Sequence, residues 1–427
     1  MLKINYKEKT SFNSYKKSSL SFAGNIKPKT DNLIQFPGLP DTKRPIVIVT
    51  DAWEPQINGV VTDMKNLRNS LRELGYKVVV ITPDKFKKIP SPDPNIQLAI
   101  GSGNYSKMKK ILNKIQPQSV FIATEGPLGF YTQKICKNNN WPYSTHYASK
   151  FPEFLDTRYK PQIKKLHNLF GVPENSLLNF TYNRLKAFHL DSAAVIVKTQ
   201  SVLEELTQKG FKNLKLWAAA CVDTKLFNPS KRDETFIPQH INPALQPKTI
   251  EEPITEYMGR VAPEKGIEKY LELKIPGTKM VVGPGSTPEY LNELINKYPE
   301  VIFTGPKRGE DLAKHVARAK ISFFSSITDT LGLTMPEFNA AGVPVVAYNV
   351  TGPKDIYALS GGNKAAVLCD DLAEGFKKAL KLKPEDCRKF AETHFSPERC
   401  AINWLTLQAR IPEQISQGKI LKLALKR

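Results

Sequence analysis

No apolar run in this chain of 427 residues reaches the ~18 that a membrane-spanning helix needs, and no secretory leader is legible at its start. A soluble or peripheral protein is therefore expected, cytoplasmic in location. Cysteine is scarce: five residues, odd in number and far apart, at Cys136, Cys221, Cys369, Cys387 and Cys400. No C-x-x-C spacing exists, which excludes zinc ribbons and dithiol redox motifs and predicts reduced, mostly buried thiols. There is no helix-turn-helix cue and no block of Lys and Arg interleaved with aromatics, so nucleic acid is disfavoured as a partner. A nucleic-acid-binding protein is suggested by the charge alone.

What the chain does have is positive charge. Sixty-two Lys and Arg stand against 41 Asp and Glu, a net +21. The excess is spread along Lys-rich segments and favours anionic partners: phosphorylated small molecules or an anionic membrane face. A hydrophobic content of 41% over this length supports two or three cores.

Two alternations of short apolar runs and helical patterns organise the sequence. The first holds Ile46–Thr50, Lys77–Thr82, Ser119–Thr124, Pro142–Tyr147 and Ala193–Lys198. The second holds Glu256–Arg260, Lys279–Gly283, Val301–Gly305, Ile321–Ser326, Val343–Tyr348 and Ala365–Cys369. Apolar β-branched runs bounded by turns, with amphipathic segments between, predict two α/β halves built on doubly wound parallel sheets that face across a cleft. Ligands of such sheets bind beyond the carboxyl ends of the strands. The expected divisions are a basic disordered tail (1–44), a Rossmann-like acceptor domain (45–215), a Pro-rich hinge (216–253), a Rossmann-like nucleotide-sugar domain (254–395), and a C-terminal helix and basic tail (396–427). Ser396 is the expected N-cap of that helix. The final ILKLALKR is amphipathic, suited to membrane contact or to packing.

The stretch from Ser325 to Ile356 carries the densest chemistry. A strand ends, a polar turn follows, and a short helical pattern stops at Gly342. Asp329 precedes that helix and Glu337 lies inside it. Amides at Leu331, Gly332 and Leu333 would stand at a helix start, where free N–H groups attract phosphate. Pro336 suits an early helical turn. Amides flanked by two carboxylates match a ligand bearing both phosphates and hydroxyls. In GRVAPEKG, Arg260 and Lys265 place two cations just past a strand, able to neutralise a diphosphate without a metal. Gly59, after the first strand, allows close approach of a ligand to the backbone.

These blocks, in order, resemble the glycosyltransferases of family 4 (glycosyl transferases group 1), which have the GT-B fold. Asp329 and Glu337 around Leu331-Gly332-Leu333 are similar to that family's acid-x7-Glu signature. DAWEPQINGVV, VDTKLFNP, GRVAPEKG and VTGPKDI resemble other phrases of that family. TEGPLG and SKFPEF resemble the branch of sulfoquinovosyl- and mannosyl-glycolipid synthases. The resemblance implies a retaining, metal-independent hexosyltransferase without cofactor. Its donor is a UDP- or GDP-sugar, a substrate, and its acceptor is a lipid or glycan hydroxyl at the inner membrane face. It assigns Arg260 and Lys265 to the donor phosphates, Asp329 to donor-sugar hydroxyls, Glu337 to the ribose, and Gly59 to the loop covering the diphosphate.

Two departures accompany it. That branch carries a His where this chain has Ala148, and His146 stands two residues earlier. Either His146 serves the same catalytic place from a displaced position on the same face, or it is a buried core histidine. WAAACVD is also more apolar than the matching family phrase. Both departures motivate an alternative, a catalytically silent relative acting as a binding or partner subunit.

Overall fold

The computed structural model describes residues 43–409 except 57–58, 90–97, 149, 171–172, 174, 218–219, 328 and 330. The expectations for the basic tail through residue 42 and for ILKLALKR lie outside the described residues.

In the first half, β1 (Ile46–Val49), β2 (Val78–Ile81), β3 (Ser119–Ile122), β4 (Tyr143–His146), β5 (Ala194–Val197) and β6 (Leu214–Leu216) form one sheet in the order β2-β1-β3-β4-β5-β6. Its helices are α1 (Gly59–Glu73), α2 (Asn104–Ile115), α3 (Pro127–Asn138), α4 (Phe151–Phe170), α5 (Ser176–His189) and α6 (Gln200–Gln208). All its neighbouring strands run parallel. The period of two decides which helix covers which face. Ile46, Ile48 and Phe121 pack with Met64, Leu67 and Leu71 of α1. Val47 and Val49 pack with Met108 and Leu112 of α2 and Leu128 and Ile135 of α3.

The second half repeats the plan with β7 (Thr255–Met258), β8 (Lys279–Val282), β9 (Ile302–Gly305), β10 (Ile321–Phe324), β11 (Val345–Tyr348) and β12 (Ala366–Cys369) in the order β12-β11-β10-β7-β8-β9. Its helices are α7 (Ile267–Leu271), α8 (Pro288–Lys297), α9 (Gly309–Arg318), α10 (Thr334–Ala340), α11 (Pro353–Tyr357), α12 (Leu372–Ala379) and α13 (Pro384–Phe395). Two parallel six-stranded sheets with flanking helices are thus present. Every strand expected from the apolar runs forms, and β6 adds one that the pattern did not single out.

Helix α14 (Pro397–Ala409) leaves the second half and returns to the first. Its Trp404, Leu405 and Ala401 complete the core beneath α1. Ser396 closes α13 at its C-terminal side, and its carbonyl accepts from the Cys400 amide at 3.0 Å. The expectation of uniformly reduced cysteines is corrected. Cys221, in the hinge, and Cys400, in α14, are joined by a disulfide with Cα atoms 5.5 Å apart. They lie 179 residues apart in sequence, so only the return of α14 brings them together. Cys136, Cys369 and Cys387 are free thiols.

Glu256 breaks the apolar pattern in the middle of β7. It is 0% exposed, and neither carboxylate oxygen has a hydrogen-bond partner. Its register neighbours are Ser322, whose hydroxyl is also unpartnered, and Met280. Burial drives its pKa well above the ordinary carboxyl value. The folded state therefore holds a proton that the unfolded chain releases above its usual carboxyl pKa of 4.5. Stability is full below that value and falls as pH rises toward the raised folded pKa. Thermal unfolding between about pH 5 and about pH 8 should show that fall in the wild type and a flatter profile in Glu256→Gln. An equal slope in both proteins would refute a buried, protonated Glu256.

Candidate functional site

The site begins where β7 and β10 end. After β7 the chain makes a single helical turn at Pro263–Lys265 and reverses at Gly266. Lys265 is carried to the loop after β10, where its ammonium pairs with the Asp329 carboxylate. Both side chains are about three-quarters buried, 24% and 22% exposed. Arg260 starts the same loop and pairs with Glu264, which reaches back across the turn. The Tyr257 hydroxyl donates to the Arg260 carbonyl at 3.1 Å. Burial, with Asp329 and Glu264 nearby, pushes that phenol up. Arg260, Glu264, Lys265 and Asp329 thus form one group of two cations and two acids. Each cation has an acid as its partner.

From Asp329 the chain turns through Gly332, whose φ of +84° belongs to glycine. Leu331, buried at 7%, joins Met335 and Phe338 in the core. Leu333 packs against that cluster from its edge. Only backbone groups of Leu331, Gly332 and Leu333 are therefore offered to a ligand. The Met335 amide already bonds to the Gly332 carbonyl at 3.2 Å. Pro336 occupies the first turn of α10, where its missing N–H is harmless. Glu337 follows it, 8% exposed, and burial raises its carboxyl to about 8.

The first half meets this group with the loop after β1. A Cβ on Gly59 would lie 3.1 Å from the Leu333 side chain, so glycine there lets α1 begin against the signature loop. Arg308 donates to the Pro55 carbonyl at 3.2 Å. The Ser201 amide and hydroxyl, after β5, donate to Asp355 of α11 at 2.9 and 3.0 Å. The carboxyl ends of both sheets therefore face one another.

His146 does not join this site. It is 3% exposed, with its ring near Phe121 and Trp217 at centroid distances of 6.0 and 6.4 Å. Burial, followed by the charge of Lys198, keeps it well below its ordinary pKa. The catalytic place expected for it is corrected to the second of its two readings, a neutral core histidine. Ala148 is half-buried.

Two features were not foreseen. Asp51, after β1, accepts from Thr124 at 3.1 Å and from the Leu128 and Gly129 amides at 2.9 and 3.3 Å. It caps α3, whose own N-cap, Gly126, has no side chain to do so. Burial pushes its carboxyl up to about 6 against those bonds. Lys198, after β5, forms a buried ion pair with Asp63 of α1 at 2.8 Å, and its ammonium sits 3.1 Å over the Trp217 ring. The signal for the first was a helix start lacking a cap. For the second the signal was a lysine ending an apolar run.

Residues 242–394 match the family model for glycosyl transferases group 1. A GDP-mannose-dependent alpha-mannosyltransferase of Mycobacterium tuberculosis is 25% identical over 332 residues, 73% of this chain and 80% of that protein. An alpha-monoglucosyldiacylglycerol synthase of Acholeplasma laidlawii is 26% identical over 334 residues, 70% and 79% of the two. A sucrose-phosphate synthase from Thermosynechococcus elongatus has a similar fold, with a TM-score of 0.61 at 19% identity, over 90% of this chain and 100% of that one.

Proposed function

We propose that this chain, whose residues 242–394 match the glycosyl transferases group 1 model and whose fold is similar to that of solved glycosyltransferases, moves a sugar, with retention of configuration, from a UDP- or GDP-sugar to an acceptor hydroxyl. The observation that carries this reading is the Lys265–Asp329 pair at the mouth of the second sheet, with Arg260 on the same loop and Gly59 opposite. A donor diphosphate entering there takes Lys265 and Arg260 from their acids. Those acids are then released to accept hydroxyl protons, Asp329 from the sugar. Glu337 takes the ribose hydroxyls. The two cations stabilise charge growing on the leaving diphosphate, without a metal ion. The leaving phosphate oxygen takes the acceptor proton on the same face, so no protein nucleophile is required. Closure of the two halves brings donor and acceptor together and expels water.

A lipid acceptor is supported by the diacylglycerol in the name of the Acholeplasma relative and by the net charge of +21, which favours an anionic membrane face. No helix among the described residues is long and apolar enough to cross a membrane. We place the protein peripherally, on the inner face.

A thermal-shift panel of UDP, GDP, ADP and their sugars tests the donor assignment. One nucleotide family should stabilise the protein selectively, and stabilisation by none would overturn the reading. The burial of His146 favours a second reading, a silent relative that binds the donor without turning it over. Release of free sugar from the selected donor by purified protein would exclude that reading.

Glu337 adds a pH signature. Below about 8 its carboxyl holds a proton and can accept only part of what a ribose diol donates. Ionised, it accepts two hydroxyl hydrogens. Donor affinity should therefore rise with pH and level off above about 8, and Glu337→Gln should flatten the profile. Calorimetric titration across that range checks it, and an identical profile in the variant would remove Glu337 from the ribose.

A further inference from the structure

Asp355 stands between the two halves and uses both of its carboxylate oxygens. Oδ1 accepts from the Ser201 amide at 2.9 Å and from the Ser201 hydroxyl at 3.0 Å. Oδ2 accepts from the Gly352 amide at 3.3 Å. Ser201 belongs to the first half and Gly352 to the second, so one side chain is bonded to both.

On the first half, Ser201 is the second residue of α6. Amides of a first turn have no carbonyl partner within their helix, and a negative charge is favoured there. Thr199 caps α6 by accepting from the Val202 amide at 3.4 Å. The Ser201 amide is left to Asp355.

On the second half, Gly352 precedes α11, and its amide is tied to Asp355 across the first turn of that helix. This turn lies against the donor site. A Cβ on Gly352 would stand 3.1 Å from the Asp329 carbonyl oxygen and 3.2 Å from that of Leu331. Contacts therefore run without a break from α6, through Asp355 and Gly352, to the backbone that carries Asp329, whose carboxylate holds Lys265. The Arg308–Pro55 contact between the halves is exposed. The Asp355 bonds are partly buried, and bonds to a carboxylate shielded from bulk water are the stronger kind.

We propose that Asp355 is a positioning residue for sugar transfer: closure of the halves seats it on Ser201, and the Gly352 turn then holds Asp329 where the donor sugar needs it. This rests on the reading of the chain as a sugar transferase. Asp355 acts only through Asp329 and touches neither diphosphate nor sugar. Such coupling is reciprocal, so a nucleotide that orders the Asp329 loop should also steady the first turn of α6 in the other half.

Ser201→Asp tests this in the full chain. An acid is tolerated in the first turn of a helix, but here it faces the Asp355 carboxylate and repels it. With UDP or GDP at saturation, amide hydrogen exchange in the wild type should slow at residues 199–206 as well as around Lys265 and Asp329. In Ser201→Asp the slowing at 199–206 should vanish while that around Lys265 stays, which also shows the variant to be folded. Turnover of the donor should fall about tenfold or more in kcat, with its KM within about twofold of the wild type. Adding Asp355→Asn to Ser201→Asp removes the repulsion and should recover much of both losses. The proposal is overturned if Ser201→Asp keeps wild-type exchange and turnover, if its loss lies in KM rather than kcat, or if the second substitution recovers nothing. Slowing around Lys265 but not at 199–206 in the wild type would sink the role of Asp355 alone. Slowing at neither place with either nucleotide would sink the transferase reading and this role with it.

Discussion

Lys265→Ala should lower donor turnover by about 10²–10³ in kcat, the usual loss when one preorganised group stops meeting charge that develops in the transition state. The side chain is set for this by the turn at Pro263–Lys265 and by its contact with Asp329. In the variant the diphosphate loses one of the two cations that meet it. Arg260→Ala should fall in the same direction but by less, because that side chain is 41% exposed and better solvated. Lys265→Arg should not restore full rate, since a planar fork does not replace a compact ammonium in the same space. The Lys265–Asp329 pair is partly solvated and adds little to folding, so unfolding midpoints should barely move. Lost turnover with an intact midpoint identifies a role in the reaction. Full turnover in both alanine variants would remove diphosphate neutralisation from the mechanism.

Asp63→Ala should destabilise the protein by about 3–5 kcal/mol, read from urea unfolding. Its carboxylate and the Lys198 ammonium are 4% and 6% exposed and 2.8 Å apart. Asp63 also accepts from the Cys221 amide at 3.3 Å. Removing it leaves a buried cation over Trp217 and an orphaned amide in the hinge. Burial already brings the Lys198 pKa down to about 8, with Asp63 opposing the fall. Replacing both members, Asp63→Leu with Lys198→Met, should recover much of the loss, because no charge is then stranded. A single variant as stable as the wild type would mean that the hinge side of the first sheet is open to water.

Most strands were legible because parallel strands covered on both faces are largely apolar, as in Ile46–Val49 and Ala194–Val197. The strand β6 was not, since Leu214–Leu216 is three half-buried residues running into the hinge. The group of Arg260, Glu264, Lys265 and Asp329 was readable in part. The two cations share one short phrase, and strand ends of a parallel sheet converge. Which acid each cation holds depends on side-chain reach, which spacing does not encode. The Cys221–Cys400 bond, the Asp63–Lys198 pair and the Glu125–His189 contact each join residues far apart in the chain, and no local period links them. His146 was ambiguous because alternation assigns a side of the sheet and does not say whether that side is core or cleft.

The return of α14 bears on how the protein is made. Met64, Leu67 and Leu71 are covered by Trp404 and Leu405, which are translated more than three hundred residues later. While the ribosome is still building the second half, the first half emerges with one greasy flank uncovered. Nascent chains should therefore depend on a holding chaperone until termination, and products stopped before Pro397 should clump or be degraded rather than accumulate as a free-standing domain.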